Sequence, residues 1–322
     1  MVVPLPIKIY SEDFLSSGIF LVYPKGLQYK KQYIEDLLAF YKAYSYIIPL
    51  DIEIFWIIKK EEYRTEILEN FAKRRKQKFF FYPKVTDIWA GDWIPFLAKT
   101  AKYKQIGVQF HYTASVNDSL CGKTIYQEKL KLPVYKVPLK LDGGNFEFYS
   151  NKFIIVTDKI FTDNPKYSED KIISLLKEIF GVKLVYQLKS RSVLGHTDIF
   201  LRHYYDEYYL YSIFNNKVDE NLYDILYKIK YDIGLEIVGL PNELSGKKLL
   251  YSGQEDYTGN ILDFIIVGNN VIFPIFSSSS WLAFEKIREV TPEYVNLIPW
   301  EDDVLSKLYQ LGGGLYCISN TY

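Results

Sequence analysis

Cysteine is nearly missing from this chain: its 322 residues include two, Cys121 and Cys317. Two thiols cannot build a disulfide framework, so a reducing, cytoplasmic setting is expected. Histidine is scarce as well, limited to His111, His196 and His203. A cage of several imidazoles would need all three, and their spacing matches no zinc signature, so no metal is expected. Net charge is also absent. Lys and Arg total 39, as do Asp and Glu, which leaves no global field to draw the chain to nucleic acid or an anionic membrane. The one basic run, Lys73-Arg74-Arg75-Lys76, ends a helical pattern of Tyr63, Ile67 and Phe71, where cations complement the helix dipole. No apolar stretch approaches the roughly 20 residues that span a bilayer. The opening Met1-Val2-Val3-Pro4-Leu5-Pro6 lacks the charged and apolar regions of a signal peptide. No glycine-rich phosphate loop follows a first strand, so a nucleotide cofactor has no fingerprint. No linker rich in Pro, Gly or Ser divides the chain, and a single domain over residues 1–322 is expected.

What is present is an alternation of short apolar strands and amphipathic helices. Gly18–Tyr23 reads as a buried strand stopped by Pro24, and Tyr33, Leu37, Phe40 and Tyr44 follow at helical spacing. Ile52–Ile58 returns to strand character, a second helix follows, and Lys78–Tyr82 is strand again. Further on, Phe153–Val156 is a strand and Ser168 caps a helix that carries Ile172, Leu176 and Ile179 to a stop at Gly181. Lys183–Tyr186 is the next strand, and Asp219 opens a helix that ends at Gly234. Phe264–Val267 and Val271–Ile275 meet in a hairpin turn at Gly268-Asn269-Asn270. Asn151-Lys152 reads as the same turn in another copy. Helices near Trp281–Glu289 and Val304–Leu311 close the chain. Strand-strand-helix-strand therefore recurs without a clean sequence repeat, which suits small mixed sheets arranged around an axis.

Four polar stretches interrupt this framework. The last holds Gly312-Gly313-Gly314, which permits close approach of another group, followed by Cys317. That cysteine reads either as a presented thiol or as a small apolar residue packed under a terminal strand. The stretch Thr86–Pro95 sets Asp87 and Asp92 among Trp89 and Trp93: acids with an aromatic wall for a cation, or an Asx turn with core tryptophans. Leu141-Asp142-Gly143-Gly144-Asn145 alone is a turn. In Gly195-His196-Thr197-Asp198, a strand would send His196 and Asp198 to one face, since its side-chain period is two. A histidine beside a carboxylate can switch charge near neutral pH.

Taken together, Asp87-x-Trp89-x-x-Asp92, Asp142-Gly143-Gly144, Gly195-His196-x-Asp198 and Gly312-Gly313-Gly314-x-x-Cys317 resemble, in order and rough spacing, the guanidine-modifying enzymes. They look most like agmatine deiminase, and peptidylarginine deiminases share the central residues. Asn164-Pro165 through Gly181-Val182, and Asn260-x-x-Asp263-Phe264, resemble that family as well. The similarity runs from about Gly18 to Cys317. It implies an α/β fold, the five-bladed α/β propeller (pentein) of repeated ββαβ units with pseudo-fivefold symmetry and a central site. The chain departs from the agmatine deiminase pattern at Gly91, usually arginine, at Asp142, usually glutamate, and at Tyr23-Pro24, usually tryptophan-proline.

The resemblance implies roles that the side chains can perform. Asp92 and Asp198 suit bidentate hydrogen bonds to a planar guanidinium. Cys317 would attack its central carbon as thiolate, helped by the bound cation. His196 would protonate the departing nitrogen and later activate water, so that a thiouronium intermediate becomes a urea. Asp142 would orient the substrate or His196, Gly314 would allow close approach, and Tyr23, Trp89, Trp93 and Asp87 would line the substrate pocket. The expected substrate is a small guanidine, agmatine first, giving N-carbamoylputrescine and ammonia in polyamine metabolism. No cofactor, nucleic acid or membrane partner is expected, and a homo-oligomer stays open. Free or peptidyl arginine as substrate, amidino transfer to an amine, and guanidinium binding without turnover are the alternatives.

Overall fold

Strand-strand-helix-strand is the recurring order in the computed structural model, which describes residues 6–9, 16–71, 76–100, 102, 105–149, 151–190, 194–205, 208–214, 217–244 and 256–322. Lys73, Arg74 and Arg75 of the basic run, and Met1 to Leu5 of the opening, lie outside the described residues. The chain divides into two units. One comprises the described residues of Met1–Ser11 and Asp92–Gly239, the other those of Glu12–Gly91 and Leu240–Tyr322.

The first unit shows how each copy is made. Glu147–Tyr149 pairs antiparallel with Phe153–Thr157 across the turn that contains Asn151-Lys152. The helix Glu169–Phe180 then carries the chain back to Leu184–Leu188, parallel on the other side of Phe153–Thr157. That helix begins where Ser168 Oγ accepts the Lys171 N–H at 3.3 Å. It ends where Gly181 takes φ +66°, a left-handed cap that costs glycine little. Its Ile172, Leu176 and Ile179 are buried against Val108, Val137, Leu139, Phe146 and Ile154. Burying each such side chain is worth about 1.5–3 kcal/mol, which is what holds helix to sheet.

The same order builds two further sheets here. Phe96–Lys99, Ile106–His111, the helix Val116–Glu128 and Val134–Lys140 form one, extended by Lys8–Ile9. Leu201–Tyr204, Tyr208–Phe214, the helix Glu220–Lys228 and Glu236–Asn242 form the other. The 201–242 copy begins later than expected. His196 does not enter a strand: Thr197–Ile199 is a single 3-10 turn, and the strand starts at Leu201.

In the second unit the hairpin Ile265–Val267 with Asn270–Ile275, the helix Ser278–Val290 and the parallel strand Asn296–Glu301 repeat the pattern. The remaining copy draws on both ends of the chain. Asn320–Thr321 lies antiparallel to Gly18–Val22, and the helix Lys31–Ile47 leads to Glu53–Ile58, parallel to it. Gln77–Phe81 adds a fourth, parallel strand. The described residues thus make five small sheets in a mixed α/β fold. This unit's core is aromatic. Tyr44 stacks on Trp300 at 5.3 Å between centroids, and Tyr23 packs against Trp56, Tyr63 and Phe71. Among the described residues no helix is long and apolar enough to cross a membrane.

The strand Asn320–Thr321 follows Cys317 by two residues, so it fixes the register of the cysteine segment. Tyr322 closes it: its ring packs on Phe20 at 4.4 Å, and its hydroxyl donates to Glu53 Oε2 at 2.5 Å. Tyr322→Ala should lower unfolding free energy by about 1–3 kcal/mol in a urea titration, with the slope unchanged.

Candidate active site

In the first unit, three carboxylates surround a histidine. The chain reaches this place through Gly195 at φ +64°, where a Cβ would also lie 2.8 Å from the Lys159 side chain. His196 follows, 2% exposed, and Asp198 sits in the next turn, equally buried. Neither ring nitrogen of His196 has a hydrogen-bond partner among the described residues. Asp142 Oδ2 lies 3.8 Å from His196 Nε2, an ion-pair distance rather than a hydrogen bond. Thr113 holds that carboxylate: its N–H donates to Oδ1 at 3.0 Å, and its hydroxyl lies 2.8 Å from each oxygen. Lys159 Nζ stands 3.9 Å from Asp142 Oδ2.

Gly144 lets these groups meet. A Cβ there would lie 2.4 Å from His196 Nδ1 and 2.6 Å from Asp198 Oδ2. Its N–H donates to Asp92 Oδ1 at 3.4 Å, and its carbonyl accepts the Thr197 hydroxyl at 3.0 Å. The stretch read as a turn is therefore a short 3-10 helix, Gly143–Asn145, laid against the histidine.

The charges follow from this crowding. Burial, with Asp142 and Asp198 adding repulsion, pushes the Asp92 carboxyl up to about 8, although His196 pulls it down. Burial alone would lower the His196 imidazole, but Asp92, Asp142 and Asp198 hold it up at about 9. Burial would raise Asp142, yet the neighbouring imidazolium and the Thr113 donors bring it below the ordinary carboxylate value. At neutral pH the set therefore holds a cationic imidazole, an ionised Asp142 and an Asp92 that mostly keeps its proton.

The second unit holds Cys317 in a helix of one turn, Leu315–Ile318. Asp263 caps it, accepting the Tyr316 N–H at 2.6 Å, and its other oxygen lies 3.9 Å from Cys317 Sγ. The triple glycine is needed by space. A Cβ on Gly314 would lie 2.2 Å from Asp263 Oδ2, and one on Gly313 would lie 2.7 Å from the Trp89 ring. Gly91 is likewise pressed onto this segment, 2.3 Å from the Tyr316 carbonyl oxygen for an added Cβ. Asn260 Oδ1 accepts the Leu262 N–H at 3.3 Å, which shapes the turn that delivers Asp263.

The remaining expected site residues are placed less uniformly. Trp89 faces the glycine turn before Cys317. Asp87 makes the Asx turn, accepting the Trp89 N–H at 3.2 Å and the Tyr29 hydroxyl at 3.0 Å. Tyr23 is fully buried in the aromatic core of its unit. Trp93, 1% exposed in the other unit, presents its carbonyl to Gln109 at 2.8 Å. The Tyr23 ring packs against Trp56, Tyr63 and Phe71. Thr113, Gly144, Lys159 and Asp263 were missing from the expected set. Gly144 stood in a quoted motif and Asp263 in a quoted stretch, whereas Thr113 and Lys159 carry no local signal.

The family described as Porphyromonas-type peptidyl-arginine deiminase matches residues 11–322. Among solved structures, the agmatine deiminase of C. jejuni superposes with a TM-score of 0.79 at 20% identity, covering 98% of this chain and 95% of that one. The agmatine deiminase of Enterococcus faecalis gives 0.75 at 15% identity, with 98% and 95% covered. A dimethylarginine dimethylaminohydrolase gives 0.54 at 13% identity, with 96% and 100% covered. No curated protein sequence matches.

Two outcomes follow from the geometry. Asp92 holds its proton more tightly folded than unfolded, so its own contribution to stability falls as pH rises from the ordinary 3.8 to about 8. Asp92→Asn lacks that loss, and its melting temperature relative to wild type should climb across the same window. Gly144→Ala should lower catalytic activity by about a hundredfold or more, because the methyl displaces His196 and Asp198. Its melting temperature and steady-state rates test this together.

Proposed function

Because the chain belongs to the Porphyromonas-type peptidyl-arginine deiminase family, whose members act on guanidino groups, we propose that it is a cysteine-dependent deiminase of a small guanidine, agmatine first and free arginine second. The observation that carries this reading is the buried His196, without a hydrogen bond at either ring nitrogen among the described residues and ringed by Asp92, Asp142 and Asp198. Such a set is an incomplete ion pair awaiting a cation, and a planar guanidinium can offer N–H donors to two carboxylates at once. Agmatine leads because agmatine deiminases stand among the structural relatives.

On this reading Asp92 and Asp198 grip the guanidinium, and the Cys317 sulfur forms a bond to its central carbon. His196, cationic at neutral pH, gives its proton to the departing nitrogen; that C–N bond breaks and ammonia leaves. The resulting thiouronium is attacked by water as neutral His196 takes the water's proton. The C–S bond then breaks, releasing the ureido product and regenerating the cysteine. For agmatine that product is N-carbamoylputrescine. Asp142, clamped by Thr113, orients His196, and Trp89 is the aromatic wall. We also read the five ββαβ sheets as the blades of a pentein propeller.

Agmatine, arginine, a peptide with internal arginine and methylated arginines should be offered to the purified protein, scoring ammonia and ureido product. Ammonia from agmatine is the expected result. Release from none of them would overturn the reading, and citrulline formed only in peptides would move the substrate to peptidyl arginine. His196→Ala should lower turnover by about 10²–10⁴-fold while remaining folded.

A haloacetamidine, a guanidinium mimic with a leaving group, should alkylate Cys317 and spare Cys121. The Cys121 thiol is held far up by burial and by Asp118. Asp198→Ala should slow that labelling of Cys317. An unchanged rate would show that the carboxylates of the first unit and the thiol of the second do not serve one ligand.

A further inference from the structure

A cavity of about 450 Å³ in the first unit is not used by the proposed reaction. Its floor is the strand Val134–Lys140, whose alternation turns Val137 and Leu139 into the core and Lys136, Pro138 and Lys140 to the other face. This is an edge strand, where a proline costs no ladder hydrogen bond. One wall comes from the end of Ile106–His111 and the start of the helix Val116–Glu128, and another from the turn Asp163–Lys166. Asn164 locks wall to floor: it accepts the Lys140 N–H at 2.8 Å and donates to the Lys140 and Ile160 carbonyls at 2.9 and 2.8 Å.

The lining is one-sided in charge. Lys136, Lys140 and Lys166 all face the cavity, and among the described residues none of the three ammonium groups lies within ion-pair distance of a carboxylate. The acid in the lining, Asp163, is taken up by Lys159 at 2.5 Å. His111 stands among the lysines. Burial first, then Lys136, Lys166 and Lys140, push its imidazole below the ordinary value. Three cations on one pocket repel each other, and that repulsion is relieved by an anion. Four residues before the lysine-bearing turn Asp163–Lys166, Lys159 also stands near Asp142, and Thr113 of the lining donates to that same carboxylate.

We propose that this cavity is an anion site that takes a phosphate-bearing small molecule, its phosphate held by Lys136, Lys140 and Lys166. The volume suits a ligand larger than the bare ion, since small-molecule sites run from about 300 to about 1,000 Å³. A dianionic phosphate matches three ammonium groups better than a single carboxylate does. The inference rests on the first unit alone, so it can hold even if every guanidine fails as substrate.

The test is titration with inorganic pyrophosphate, and separately inorganic phosphate, against sodium chloride at matched ionic strength. Calorimetry should show saturable pyrophosphate binding to the wild-type protein. Lys136→Gln, Lys140→Gln and Lys166→Gln together should weaken it by about tenfold or more. Three neutralised lysines elsewhere, Lys31→Gln, Lys60→Gln and Lys286→Gln, should not. In the same samples the His111 imidazole resonance should titrate at higher pH when pyrophosphate is bound, because the anion offsets the three lysines that face it. Equal binding by both triple variants, a shift reproduced by chloride, or no saturation would each overturn the site. Sulfate that binds as tightly as pyrophosphate would overturn the phosphate assignment.

Discussion

The chemistry of the first unit depends on how closely one stretch of backbone can approach His196 and Asp198. Any side chain at Gly144 would occupy the space of the imidazole and the carboxylate. Because none is there, the 143–145 turn supplies an N–H to Asp92 and a carbonyl to Thr197. The neighbouring Asn145 then accepts the Thr157 N–H at 2.9 Å, and the Thr157 hydroxyl reaches the Gly195 carbonyl at 2.5 Å. The loop that delivers Asp142 and the loop that delivers His196 are thus tied through the central strand of one sheet. Precision at the histidine comes from backbone contacts, which flex less than long side chains.

The second unit solves the same problem with a different glycine run. The one-turn helix that carries Cys317 is too short to be stable by its own hydrogen bonds. Asp263 caps it, Tyr309 crosses beneath with its hydroxyl donating to the Asp263 carbonyl at 3.2 Å, and Gly313, Gly314 and Gly91 let three neighbours close on it. At Gly91 the contact with the Tyr316 carbonyl leaves no room for a side chain.

The sequence made the repeating order legible where caps and turns are local. Ser168 and Gly181 bound their helix as read, and the Asn-containing turns at 151–152 and 269–270 do join corresponding strands. Local pattern failed where tertiary contacts decide. His196-Thr197-Asp198 alternates like a strand, but the bond from Thr197 to Gly144, 53 residues away, holds it as a 3-10 turn. The strands Phe96–Lys99 and Val134–Lys140 were passed over, the second because Pro138 and alternating lysines disguise an edge strand whose other face is core. Motif order pointed to Asp92, Asp142, His196, Asp198 and Cys317. It could not find Thr113 or Lys159, whose part is set wholly by what they face.

Electrostatics gives the strongest reason to regard the histidine set as functional rather than structural. A buried ion pair kept for structure would have its charges balanced and its donors satisfied, and apolar residues of similar size would commonly be no less stable. Here the balance is left open. Asp92 is driven up to about 8 by burial and by two other carboxylates, so at neutral pH it mostly keeps its proton. His196 is held up at about 9 by Asp92, Asp142 and Asp198, with both ring nitrogens free of hydrogen bonds among the described residues. The Asp92 shift works against the fold as pH rises from 3.8 towards about 8, whereas the His196 shift favours the fold until pH passes about 9, and neither relieves the other fully. A second cation resolves the conflict. It would let Asp92 ionise, shield Asp142 and Asp198 from each other, and weaken the field that keeps the proton on His196. A cation bound here therefore prepares His196 to give that proton up. On the proposed reading the carboxylates that would bind the substrate would also time the acid, because one field sets both.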